Sequence, residues 1–475
     1  MNRKTTSSKL TQAYGAQRIQ QHDLHRRSCA DELTPLEIDT IDAVASSELI
    51  YQLAQTLPIH QPGSPGRRPH YPPWVHLLHK ALASVLGSHS KAARAMAHPA
   101  YWRSIRHRAA AHHAPKAQRK PPQRWHHNYA QQLLDEHTDQ LLDAFRPLAR
   151  RLARELGCLD PTRSVSHTNP ARGQFVVGDG TVVAAPVRKA TADRWDEHGG
   201  RHVNAGVEAQ NGENDTEFRY GIKFAILATR PDTIRNNRVI LDVAAVPAGK
   251  GYGGEARVAT DMIDRVVADT EIRCDGVCYD GAFRGTHIDH AMKHGLTVLS
   301  PIHDGTRKPA ALAHLECTCG EVHDLWTQDG RICERQILDT GEKHLQPCPI
   351  AKIFSRRNAD GNHRWYIEFA TATCGTVHRE RIDTTDDDRN RGYNRAEHLR
   401  QHIKTEDGDS VYDRCYGWRE DAESLNNTLD RTLYGGRMIA YTATRQLTVM
   451  LGFALGRNAI AAYLHRRRHP DERAA

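Results

Sequence analysis

Between residues 51 and 130 the sequence has no aspartate and no glutamate, while it carries 12 Lys or Arg and 11 His there. Such a stretch excludes a charge-balanced surface and is expected to meet phosphate, the alternative being a solvated basic tail or linker. Also missing is any Cys-x2-Cys pair, the mark of a strong zinc knuckle. The glycine-rich run Gly249-Lys-Gly-Tyr-Gly-Gly lacks the spacing and ending of a P-loop and reads as a loop. No repeat occurs at solenoid spacing. The opening Met1-Asn-Arg-Lys-Thr-Thr-Ser-Ser has no apolar secretory core, so the 10 Cys are expected as reduced thiols in a cytosolic protein. Long apolar runs are absent too. In the apolar C-terminal segment the longest uncharged stretch, Gln446 to Gly456, is 11 residues, too short to span a bilayer, and is expected to be a core helix.

What is present supports a packed core with appended modules: 475 residues, 39% of them apolar, and a formal charge of +8 that favours a polyanionic partner. Residues 1–165 are expected to form a basic, mainly helical DNA-binding region. Within it, Gln61-Pro-Gly-Ser-Pro-Gly-Arg-Arg-Pro-His-Tyr-Pro-Pro is a linker or exposed loop. Trp74 to Leu86, the break Gly87-Ser-His-Ser90 and Lys91 to Ala97 are compatible with a helix-turn-helix or an ordinary helical hairpin. Lys91, Arg94, Arg103 and Arg106 are its candidate DNA contacts, and Tyr129 to Leu156 continues as an amphipathic helix.

Residues 166–302 change to strands, Gln174 to Val177, Thr181 to Val187, Arg219 to Thr229 and Val239 to Val246, followed by a helix Glu255 to Asp269. A short strand Gly276 to Tyr279, a helix Thr286 to His294 and a strand Leu296 to Ile302 complete an α/β pattern, a mixed sheet flanked by helices. Residues 303–410 read as a β-rich, Cys-containing insertion. Residues 411–475 return to the core with helices Asp413 to Leu433 and Arg437 to His465.

Three separated acids stand out. Asp179 ends an apolar run, although Asp-Gly between Val-Val pairs is also a hairpin signal. Asp280 follows a buried strand and precedes Gly281, which allows a ligand close to the backbone; a helix cap is a poor explanation six residues ahead of Thr286. Glu423 shares one helical face with Tyr416 and Arg419, whereas Glu420 and Asp421 point elsewhere and read as solvated surface.

Tyr416, Arg419 and Glu423 match the Tyr-x2-Arg-x3-Glu part of the signature of a group of bacterial insertion-sequence transposases, and the chain resembles this DDE-type family. The signature's final Lys is absent: position 430 is Asp, with Arg431 the nearest cation. The resemblance implies a ribonuclease H-like fold with a β-rich insertion and a catalytic set Asp179, Asp280 and Glu423. It further implies water-driven cleavage at the transposon ends, then attack of the exposed 3′-OH on target DNA, a possible hairpin intermediate, and a homodimer in the assembled DNA complex. Two Mg²⁺ (or Mn²⁺) ions, roughly 3.5–4 Å apart, would serve both steps, with Asp179 bridging and Asp280 and Glu423 each completing one site. Arg419 would steady Glu423 or a phosphate, Tyr416 would stack nearby, and Asn426 and Arg431 are candidate DNA contacts. The partner is double-stranded DNA, the location cytoplasmic and nucleoid-associated, with no membrane. Two alternatives share these residues: an inactive, transposase-derived DNA-binding protein, and a metal-dependent nuclease without strand transfer.

Cys317, Cys319, Cys333 and Cys348 fall in the insertion with spacing Cys-x-Cys-x13-Cys-x14-Cys. They would hold a structural zinc or serve as reduced, partly buried thiols. Cys274 and Cys278 are expected to fill core space.

Overall fold

The computed structural model describes residues 34–58, 69–211, 216–234, 236–247, 251–303, 307–390, 392–402 and 409–469. The start of the expected DNA-binding region, most of the Pro/Gly-rich linker and Gly249-Lys250 lie outside them.

The described residues begin with helices α1 (Pro35–Ala45), α2 (Glu48–Gln55), α3 (Pro73–Val85), α4 (His89–Ala97), α5 (Pro99–Ala111), α6 (Arg124–Glu136) and α7 (Thr138–Glu155). Strand β1 (Phe175–Ala184), α8 (Lys189–Glu197), β2 (Gly206–Asn211), β3 (Thr216–Thr229), β4 (Val239–Ala245), α9 (Gly251–Val267), β5 (Gly276–Cys278), α10 (Thr286–Lys293) and β6 (Thr297–Leu299) follow. Next come β7 (Ala310–Glu316), β8 (Val322–Gln328), β9 (Arg331–Ile337), β10 (Lys343–Pro347), β11 (Ile350–Arg357), β12 (His363–Ala370) and β13 (Val377–Arg381). The chain closes with α11 (Asp386–Asn390), α12 (Arg395–Leu399), α13 (Val411–Cys415), a 3-10 turn Tyr416–Arg419, α14 (Glu420–Thr432) and α15 (Ala443–Arg468).

Two compact units divide these elements. The first takes residues 1–156, 180–250 and 423–475. Its α1 is fixed at the start by a capping box, in which Thr34 and Glu37 each satisfy the other's backbone N–H. At its centre lies α15, buried almost throughout, with α3 across it. Gly452 and Gly456 make that crossing close: a Cβ at Gly456 would stand 2.6 Å from Val85 Cγ1, and one at Gly452 3.0 Å from the Lys80 carbonyl oxygen. By length and composition α15 qualifies as a membrane span, but 78% of its apolar window is buried inside the protein, as in a core helix. The 11-residue uncharged run understated this helix because Arg445 and Arg457 sit within it.

The second unit takes residues 157–179 and 251–422. In it the near half of β1 runs parallel to β5, and β5 parallel to β6. In the first unit β2, β3 and β4 form an antiparallel meander, with β3 next to β1 in the strand order. The result is a mixed α/β sheet, order β2-β3-β1-β5-β6 with β4 on β3, and helices beside it. The second unit adds a four-stranded sheet, β10-β9-β8-β7, and a three-stranded one, β11-β12-β13.

Several local expectations are corrected. The chain passes through Asp179-Gly180 as one strand, so the hairpin signal there is overridden by pairing on both halves of β1. Residues 129–156 break into two helices at His137, and residues 413–433 divide into α13, the 3-10 turn and α14. The last helix begins at Ala443 instead of Arg437, because Arg437 and Met438 bond to the end of β1. From Gly251 the glycine-rich run is the first turn of α9, not loop.

Candidate active site

Register brings the first two acids together. The parallel pairs Phe175↔Gly276, Val176↔Val277 and Val177↔Cys278 leave Asp179 and Asp280 each two residues past the last of them. Side chains alternate along a strand, so the two carboxylates rise on one face at one level of neighbouring chains, spaced by about 4.8 Å of sheet. Gly276 makes this register possible: a Cβ there would meet Phe175 Cε1 at 2.2 Å and the Thr297 carbonyl oxygen at 2.6 Å. Asp280 Oδ1 accepts the Ala282 N–H at 2.9 Å, which turns the chain after the strand, and a Cβ at Gly281 would meet nothing within 4 Å.

A third carboxylate joins them. Glu255, buried on the first turns of α9, places an oxygen within 4.8 Å of oxygens of Asp179 and Asp280. The Tyr279 hydroxyl donates to Glu255 Oε1 at 3.0 Å. Burial, then the charges of Glu255, Asp280 and Asp179, hold the Tyr279 phenol well above its ordinary pKa, so it stays a donor. Glu255 was not among the acids singled out from sequence. An acid at the start of a helix ordinarily complements the helix dipole, and the one further signal was the three glycines among residues 251–254 just before it.

Arg419 Nη2 stands 3.9 Å from Asp179 Oδ1, so the signature's cation faces the first strand acid. Tyr416 and Arg419 occupy the 3-10 turn, where residues three apart eclipse, and only Glu423 lies on the α-helix proper. Trp418, between them, meets Phe175 edge-on at 5.1 Å between centroids. Burial pushes the Tyr416 hydroxyl up. Asp421, expected on the surface, is buried and paired to Arg172 at 2.5 Å, a correction that sequence distance concealed.

Glu423 belongs to the other compact unit and is exposed on α14. Arg431, two turns on, is also exposed, while Asn426 is half-buried. Among the expected DNA contacts, Arg94 and Arg103 are exposed and Arg106 is half-buried on α4 and α5, whereas Lys91 forms an ion pair with Glu37. The turn between α3 and α4 is three residues long around Gly87, whose φ is +70°, and α3 is almost wholly buried.

Histidine was over-read as surface charge. His76, His79 and His127 are buried, with the His79 and His127 rings stacked at 3.8 Å and His89 against His79 at 5.1 Å. Desolvation lowers His76 and His89 to about 3 and drives His79 and His127 down as well, so these rings are neutral core groups.

The thiols separate into two sets. Cys317 and Cys319 are gathered with His323 and Cys374, with ligand-type atoms all within 4.8 Å. Cys333 and Cys348, expected to join them, are buried outside this group on β9 and just before β11, and burial lifts them to about 11 and about 12. Cys274 and Cys278 are likewise raised to about 12 by burial, which suits packing and not nucleophilic chemistry.

Three clustered carboxylates repel one another unless a cation or proton intervenes, and a set of hard oxygens suits Mg²⁺ or Mn²⁺ over softer metals. The donor set of Asp179, Glu255 and Asp280 therefore fits a divalent ion between the middle of β1 and the residues that follow β5. The chain matches no protein-family model and no curated protein.

Proposed function

We propose that this chain is a DDE-type DNA transposase with a ribonuclease H-like core, cutting at the ends of a mobile element and joining them to target DNA. One observation carries the proposal: Asp179, inside β1, and Asp280, past the end of β5, each stand two residues beyond the last parallel pair of the two strands, with a third carboxylate within 4.8 Å. Open α/β sheets place ligands beyond the carboxyl ends of strands such as β5.

Asp179 and Asp280 hold the metal, and Glu423 completes the catalytic set as the resemblance to the transposase group implies. A pair of Mg²⁺ ions supplies, when bound, activation of the attacking oxygen and stabilisation of the leaving oxygen. Arg419 holds Asp179 in place and offers positive charge to a phosphate. No neighbouring atom crowds Gly281, which is compatible with close approach of a nucleic-acid backbone there. Arg94, Arg103 and Arg106, with Arg431, contact duplex phosphates, and the protein works in the cytoplasm on nucleoid DNA as a homodimer on paired ends.

Incubating the purified chain with labelled end DNA, target DNA and Mg²⁺ tests this. Joined products are expected. Cuts without joining would assign a nuclease, and a shifted but uncut band a DNA-binding protein. In the same assay Asp280→Ala should lower cutting by at least ~10²-fold, the scale of losing a group that stabilises developing charge. End binding should persist, and cutting that survives this change would overturn the site.

A further inference from the structure

The insertion contains a second cluster of different chemistry. Cys317 and Cys319 lie on the tight turn between β7 and β8, closed by Cys317 N–H to the Glu321 carbonyl and Gly320 N–H to the Cys317 carbonyl, both at 3.0 Å. Gly320 has φ +91°, a conformation that favours glycine. His323 follows on β8, and Cys374 sits in the turn between β12 and β13. The four side chains thus come from two turns and the adjoining strand β8, in two separate small sheets.

Their spacing is that of ligands around a common centre. Cys317 Sγ and Cys374 Sγ are 3.6 Å apart, Cys319 Sγ and His323 Nε2 3.5 Å, and Cys374 Sγ and His323 Nε2 3.4 Å. Tetrahedral zinc with Zn–S near 2.3 Å and Zn–N near 2.05 Å requires about 3.8 Å between sulfurs and about 3.6 Å between sulfur and nitrogen. A disulfide requires about 2.05 Å between sulfurs, so the pair Cys317 and Cys374 is not in bonding geometry.

The surroundings complete the arrangement. His323 Nδ1 meets Glu334 Oε1 at 2.6 Å, and Glu334 is itself held by the Thr373 hydroxyl at 2.6 Å and the Thr373 N–H at 3.0 Å. A carboxylate on the far nitrogen of a histidine fixes its tautomer and aims the other nitrogen at a metal. The Cys319 N–H points to Cys317 Sγ at 3.4 Å, and His378 Nε2 approaches the same sulfur at 3.3 Å, both stabilising a thiolate.

We propose that Cys317, Cys319, His323 and Cys374 bind one zinc ion that fastens the β7–β8 turn to the β12–β13 turn. Four protein ligands close the coordination sphere, so the ion is structural and distinct in kind from the oxygen-only set at Asp179.

Elemental analysis of the full-length protein, purified after growth in zinc-supplemented medium, is expected to give one zinc per chain. A mercurial thiol reagent should release that ion, read by a zinc-binding dye. His323→Gln and Cys374→Ser should each lower the zinc content several-fold, while Cys333→Ser and Cys348→Ala keep it at the wild-type level. Zinc-free wild-type protein, or full zinc retention in both His323→Gln and Cys374→Ser, would overturn the proposal. The readout is metal content, so it stands or falls independently of DNA cutting.

Discussion

Among single residues, Tyr279 and Glu255 connect the buried core to the acid cluster. Tyr279 is fully buried and its hydroxyl donates to Glu255 beside two further carboxylates. Tyr279→Phe removes that donor without changing the ring's volume, and should cost ~1–3 kcal/mol of unfolding free energy, the scale of leaving a buried acceptor without its donor. Urea unfolding of the two proteins measures it, and an unchanged midpoint would show the bond to be energetically idle. Glu255 and Glu423 make a sharper comparison. Under the proposed function Glu423→Gln should abolish cutting of end DNA with binding retained, whereas Glu255→Gln should weaken Mg²⁺ binding, raising the concentration needed for half-maximal cutting. The reverse pattern would move the third catalytic place to Glu255. Asp280 stood out because it follows an apolar run with no helix-capping role to explain it, and Asp179 because it ends another, although Asp-Gly there also signals a hairpin. Glu255 was not, since an acid opening a helix looks ordinary until Tyr279 is brought beside it by a strand 24 residues away.

Elements are held by fewer choices than their lengths suggest. The parallel pairing of β1 with β5 depends on Gly276, because Phe175 and the Thr297 carbonyl fill the space a side chain would take. Phe175 also meets Trp418, and Trp418 belongs to the turn that carries Arg419 toward Asp179. Gly276→Val should therefore destabilise the protein by more than the ~1–3 kcal/mol of ordinary overpacking, and should depress DNA cutting further than DNA binding. Soluble protein with native unfolding midpoint and full cutting would refute that dependence. The alternating helix and strand order was readable from apolar periodicity alone. The helical face drawn through Tyr416, Arg419 and Glu423 was not correct in detail, because Trp418 docks on Phe175 and residues 416–419 wind as a 3-10 turn. Asp421 escaped for a similar reason: its partner Arg172 is 249 residues away. The strand break expected at Asp179-Gly180 failed because hairpin chemistry is local, whereas β1 is set by its neighbours on both halves.

Across the molecule, net charge is a poor guide to what the histidines do. The acid-free stretch places Arg94 and Arg103 outside, but His76, His79 and His127 inside. The pH dependence of stability follows. Desolvation holds His76 and His89 at about 3 in the folded protein and lowers His79 and His127 too, with Lys80 beside them drawn down to about 8 by burial. An unfolded chain takes up protons at these rings below its ordinary value of about 6.5, while the folded chain does not. Stability contributed by their neutral burial is therefore complete above about pH 6.5 and falls as pH drops, by up to ~1.4 kcal/mol per pH unit for each ring that stays unprotonated. Urea unfolding at pH 7.5, 6.5 and 5.5, followed by a helix signal, should show a loss of at least ~1 kcal/mol over the last step, the size expected for one such ring. His79→Gln, which removes one titrating ring, should flatten that loss even if it lowers stability throughout. A midpoint unchanged between pH 6.5 and 5.5 would mean that the buried rings take up protons in place, and that the helical unit tolerates charge at its centre.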